Sequence, residues 1–110
     1  MESKRLINAT CPDCRGPLTE TQEDGHREFQ CLVGHVYSPQ GLLRAHAETQ
    51  ECTLWSAVVV LEEAANLVEA AAPDLPAAAV DRLRHQVKIK HTQAAAIRRI
   101  LEELEPFQIY

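Results

Sequence analysis

Four residues in the first third of the chain have the types and the spacing to hold an ion. They are Cys11 and Cys14, two residues apart, then, sixteen residues on, Cys31 and His35, three residues apart. Each pair is short enough to curl round one ion, and the spacer is long enough for a hairpin that brings the pairs together. Thiolate and imidazole donors in this pattern suit Zn2+, which prefers four such ligands in a tetrahedron. Asp24-Gly25 lies inside the spacer and is the strongest two-residue turn signal, because both central positions of a type I′ turn need positive φ. The pattern predicts a Cys3His zinc ribbon: a β-hairpin with two metal-binding knuckles, holding one structural zinc per chain through Cys11, Cys14, Cys31 and His35. A catalytic zinc keeps one coordination position open, and four protein donors leave none. A redox reading of Cys11-x-x-Cys14 would leave Cys31 and His35 without a role.

The other reactive side chains form no second constellation. Cys52 lies three residues before Trp55, so both fall on one side of a helix, and burial is the expectation for Cys52. His46 and Cys52 are six residues apart, as are His85 and His91, so neither pair shares a helical face as a two-ligand site at i, i+4 does. G-x-S-x-G, H-E-x-x-H and a glycine-rich phosphate loop are all missing from a chain with only four glycines. The sequence therefore reads as having no catalytic residues and no organic cofactor site, and as not being an enzyme.

Charge narrows the partners. The net charge is −5 at pH 7 over 110 residues. Residues 38–72 set Arg44 against five glutamates, for −4; residues 77–104 set six bases against three acids, for +3; residues 1–37 come to −2. A basic segment with an acidic neighbour in the same chain presents no net field to a phosphate backbone, so no nucleic acid partner is expected. No apolar run reaches membrane-spanning length, so no membrane partner is expected either. The N-terminal residues lead into no signal-like stretch, which gives the cytoplasm as the expected compartment, where cysteines stay reduced.

The elements that must position these residues follow from local signals. Residues 1–10 carry little pattern beyond Leu6-Ile7, which fits a short extended lead into Cys11. Pro17–Thr21 and Arg27–Cys31 read as the two strands of the hairpin, with Gly16 serving a tight turn that aims backbone amides at sulfur. Only Leu18 and Phe29 are clearly apolar in it, so the ribbon must draw its stability from the metal. Ser38 can cap a helix that starts at Pro39. An apolar stripe from Leu43 through Val58 to Ala72 predicts a first helix over about 38–72, and Pro73–Pro76 ends it. A second helix over about 77–104 carries Val80, Leu83, Val87, Ala94, Ile97 and Leu101 on one face. A four-residue link makes the two helices an antiparallel hairpin. The fold class is thus small α+β, with a ribbon over 1–37 and a helical hairpin over 38–110. Trp55 and Val58-Val59-Val60-Leu61 spread over more of the helix circumference than one neighbour covers, which predicts a homodimer built as a four-helix bundle.

Two segments carry a family resemblance: Cys11-Pro12-Asp13-Cys14-Arg15-Gly16-Pro17-Leu18, and Phe29-Gln30-Cys31-Leu32-Val33-Gly34-His35-Val36-Tyr37-Ser38-Pro39. They resemble the zinc-ribbon extension found C-terminal to some bacterial chemotaxis-type protein-glutamate methylesterases, over about residues 9–70. The resemblance implies a bacterial, chemosensory-like signalling setting. The esterase domain of those enzymes has no counterpart here, so it implies a protein-interaction or scaffold module without their chemistry. Arg15 stands where a glycine is usual. Two other classes stay open at this point: a transcription-associated zinc ribbon that contacts nucleic acid, and an accessory subunit of a methylesterase-type enzyme.

Overall fold

The structure, a computed structural model, describes residues 3–110. In chain order it has strands β1 (Ser3–Thr10), β2 (Pro17–Glu23), β3 (His26–Cys31) and β4 (Val36–Tyr37). These are followed by helix α1 (Pro39–Ala71), a 3-10 turn (Ala72–Asp74) and helix α2 (Ala77–Glu103). The small α+β class and the two helices are as expected, with ends within a residue of those read from the sequence. The sheet is larger than the expected hairpin: four antiparallel strands in the order β1-β2-β3-β4.

The residues of β1 are mostly polar and its pairing is long-range, so it leaves little trace in the sequence. Arg5 lies opposite Glu20, and the register with β2 slips between Leu6 and Thr10. Glu20 in turn lies opposite Phe29, and Phe29 opposite Tyr37. Directly opposed residues share a sheet face, so Arg5, Glu20, Phe29 and Tyr37 form one cross-strand row. Within that row Glu20 is buried and forms ion pairs with Arg5 and, at 2.6 Å, with Arg27. Two register steps along, Leu18 lies opposite Cys31. The β2-β3 turn is as the Asp24-Gly25 signal requires, with φ of 52° and 79°. β1 forms one edge of the sheet, and the two-residue β4 forms the other.

The chain divides into two compact units: one holds the residues up to Gln50 together with Glu105–Tyr110, and the other is Glu51–Leu104. The boundary falls inside α1. In the first unit the core is Cys11, Leu18 and Cys31, with Ile7, Tyr37 and Leu42 packed against it. Helix α1 enters this unit capped by Ser38, whose Oγ accepts from the Gly41 amide at 3.0 Å. Its next turns serve the site: Leu42 joins the core, and the Thr49 hydroxyl, donating to the Ala45 carbonyl, also lies 3.4 Å from the Pro12 carbonyl. Phe107 returns to within 6.3 Å of the His46 ring.

In the second unit α1 and α2 are tied by Glu69–Arg84 and Glu62–Arg98 ion pairs at 2.8 and 2.7 Å. The partners run down α1 from 69 to 62 while they run up α2 from 84 to 98, which requires antiparallel helices. Val58, Val80 and Ala94 are the buried apolar residues of this unit among those described. Cys52, expected to be buried, is exposed, and Trp55, read as part of the surplus apolar surface, is 43% exposed with the Arg98 guanidinium 5.4 Å over its ring. At about 100° per residue Cys52 lies about 120° and Trp55 about 60° from the direction of Val58, which faces α2.

Candidate metal centre

Both ligand pairs sit in tight turns closed by their own backbone. In the first, the Cys11 amide donates to the Gly16 carbonyl at 2.7 Å and the Arg15 amide to the Cys11 carbonyl at 2.8 Å. In the second, the Cys31 amide donates to the His35 carbonyl at 3.0 Å and the Gly34 amide to the Cys31 carbonyl at 3.2 Å. Each turn contains one left-handed residue. Gly34, at φ 99°, supplies it in the second, but in the first it is Arg15, at φ 64°, rather than Gly16. A side chain there carries steric strain that glycine would not. Gly16 instead leaves room for a ligand, since a Cβ on it would stand 3.4 Å from the Cys14 sulfur.

These turns, set by β2, β3 and β4, bring the four sequence-predicted donors together. The sulfurs of Cys11, Cys14 and Cys31 and a ring nitrogen of His35 all lie within 4.8 Å of one another. His35 Nδ1 is 3.6 Å from Cys11 Sγ and 3.3 Å from Cys31 Sγ. Around a tetrahedral zinc with Zn–S near 2.3 Å and Zn–N near 2.05 Å, neighbouring S and N donors stand about 3.5 Å apart. The geometry fits a single zinc and selects Nδ1 as the nitrogen donor. His46, His85, His91 and Cys52 join no such cluster among the described residues.

The shell around the donors is built for negative sulfur. Cys11 receives backbone hydrogen bonds from Asp13 and Cys14, Cys14 one from Gly16, and Cys31 from Val33 and His35, the last at 3.3 Å. Burial pushes the Cys11 thiol up, but the Tyr37 hydroxyl and these amides outweigh it and bring it down from 9.0 to about 6. The same contest lowers Cys31, where burial is opposed by the His35 and Val33 amides and the His35 ring. Cys14 goes the other way: the Gly16 amide pulls it down, yet burial and the neighbouring Cys11 and Cys31 sulfurs push it up. His35 is raised by hydrogen bonds to the Cys31 and Cys11 sulfurs. Two sulfurs that favour the anion, a third that resists it and an imidazole drawn toward protonation describe a cluster short of positive charge, which a divalent cation supplies.

Tyr37 and Asp13 belong to this shell although neither stands out in the sequence. The Tyr37 hydroxyl lies 3.3 Å from Cys11 Sγ and within hydrogen-bond reach of the Asp13 carboxylate, one proton facing two acceptors, and burial followed by these two neighbours pushes its pKa well above the usual phenol range. One weak signal exists: in an extended chain the second residue past a ligand returns to the ligand's side. Tyr37 stands in that relation to His35.

No helix among the described residues is long and apolar enough to cross a membrane. No family model, curated protein or solved structure matches the chain.

Proposed function

We propose that this chain is a non-enzymatic protein-interaction module held together by one structural zinc, and that it works as a homodimer assembled through its helical unit. The observation that carries the reading is the cluster of Cys11, Cys14, Cys31 and His35, with donor separations that suit tetrahedral zinc. Four protein donors fill that coordination, so the metal orders the ribbon and has no position for a substrate. Tyr37 and Asp13 orient the site from outside the ligand set. The proposed setting is a bacterial, chemosensory-like signalling system in the cytoplasm, which rests on the resemblance carried by residues 11–18 and 29–39.

Two measurements test this. Elemental analysis of freshly purified protein should find one zinc per chain, and protein without metal would end the reading. Removing the Tyr37 hydroxyl should weaken zinc about 10- to 100-fold, the usual effect of losing a hydrogen bond to a metal ligand. Competition with a chelator reads this directly in Tyr37→Phe, and an affinity equal to wild type would remove Tyr37 from the site.

A further inference from the structure

The four donors are not equally enclosed. Cys11 and Cys31 are buried, 0% and 4% exposed, whereas Cys14 and His35 are exposed. The hydrogen bonds on the sulfurs differ in the same sense. Cys11 has the Asp13 and Cys14 amides with the Tyr37 hydroxyl 3.3 Å away, Cys31 has the Val33 and His35 amides, and Cys14 has the Gly16 amide. Each such bond draws charge from a thiolate and makes it a poorer nucleophile, and burial keeps reagents away. Cys14 is therefore the sulfur most open to attack an oxidant. A partner stands beside it: the Cys11 and Cys14 sulfurs lie within 4.8 Å of each other, in one turn closed by the Arg15 amide on the Cys11 carbonyl.

We propose that Cys14 is an oxidation site for peroxides and that Cys11 closes a disulfide with it, which makes the metal centre a redox switch. The inference rests on the proposed zinc reading, because coordination keeps Cys14 deprotonated. The Cys14 thiolate attacks one peroxide oxygen; the S–O bond forms, the O–O bond breaks, and hydroxide leaves, taking a proton from water. The Cys11 thiolate then attacks the sulfenic sulfur of Cys14; the S–S bond forms, the S–O bond breaks, and a second hydroxide leaves. The two sulfurs give up one electron each, and the peroxide takes both. Cys11 rather than Cys31 is the second sulfur because oxygen-bearing sulfur is a poor ligand, so the sheet loosens and carries Cys31 away on β3, while Cys11 stays tethered three residues from Cys14. Two of the four donors are then spent, and the site no longer holds its ion. Cys52, exposed on α1 outside the cluster, is the internal control.

The test treats the full zinc-loaded chain with one equivalent of hydrogen peroxide, then alkylates free thiols and digests with trypsin. Cleavage after Arg5, Arg15, Arg27, Arg44 and Arg82 places Cys11 and Cys14 together in residues 6–15, Cys31 in 28–44 and Cys52 in 45–82. Fragment 6–15 should appear two hydrogens light and unalkylated, with 28–44 and 45–82 alkylated. A colorimetric indicator should find one zinc set free for each disulfide formed. Dimedone present during the reaction should label Cys14. A cross-link between 6–15 and 28–44, dimedone on Cys11 or Cys31, oxidation of Cys52 ahead of Cys14, or retention of zinc with every thiol intact overturns the inference. Any of these in zinc-loaded protein leaves the metal-held reading standing. Protein that carries no zinc before peroxide is added fails that reading, and the inference with it.

Discussion

Treated with a strong chelator that removes the proposed zinc, the first unit is expected to lose its sheet while residues 51–104 stay helical. Three residues make up its buried core, and two of them, Cys11 and Cys31, are themselves ligands, leaving Leu18 as the one aliphatic side chain fully enclosed among those described. Structural zinc sites of this kind contribute about 10–16 kcal/mol to folding, as much as the whole net stability of a typical domain. The second unit has its own means of holding together, in Val58, Val80, Ala94 and two interhelical ion pairs. Dispersed amide resonances from β2 and β3 should therefore collapse on chelation and return with one equivalent of zinc, and Cys31→Ser should give the collapsed spectrum at any zinc concentration near stoichiometric. A dispersed sheet spectrum after complete metal removal would show that side-chain packing suffices.

The second large effect is expected at Leu18. Its side chain is fully buried opposite Cys31 and against Cys11, with Ile7, Tyr37 and Leu42 around it. Leu18→Ala removes no ligand, yet it opens a cavity beside the donors at a cost of about 3–4 kcal/mol. Where folding and metal binding are one process, that cost appears as zinc bound about 100- to 1,000-fold more weakly. Leu6→Ala is the comparison, since Leu6 is 68% exposed and its loss should be near neutral. Leu18→Ala protein holding zinc as tightly as wild type would mean that the ligand turns form independently of the sheet.

What is legible in the sequence is what is set locally. The Asp24-Gly25 turn, the Ser38 cap, the Pro73–Pro76 break and the spacing of Cys11, Cys14, Cys31 and His35 each act over a few residues, and the structure places all of them as their chemistry dictates. What escapes depends on partners far along the chain. β1 pairs with β2 in a register that sets Arg5 against Glu20 fifteen residues on, and the Tyr37–Asp13 link spans twenty-four. Neither leaves a periodic trace. Cys52 differs from expectation for a related reason: sharing a helical face says which residues travel together, but not which face meets the neighbour. Arg15 is the one local exception, because a left-handed backbone is expected of glycine, and Gly16 stands next to it.

On the proposed zinc reading, β1 carries a consequence that reaches beyond affinity. Its outer rim carries no strand among the described residues, and its eight residues could template another chain wherever the sheet is incompletely closed. Lys4 and Arg5 place positive charge along that rim, a common means by which edge strands discourage stacking, while Leu6 between Arg5 and Ile7 is the weak point. On the proposed zinc reading, a chain without metal leaves this edge on an open sheet, with Arg5 no longer held against Glu20 and Leu6 the residue through which a second strand would add.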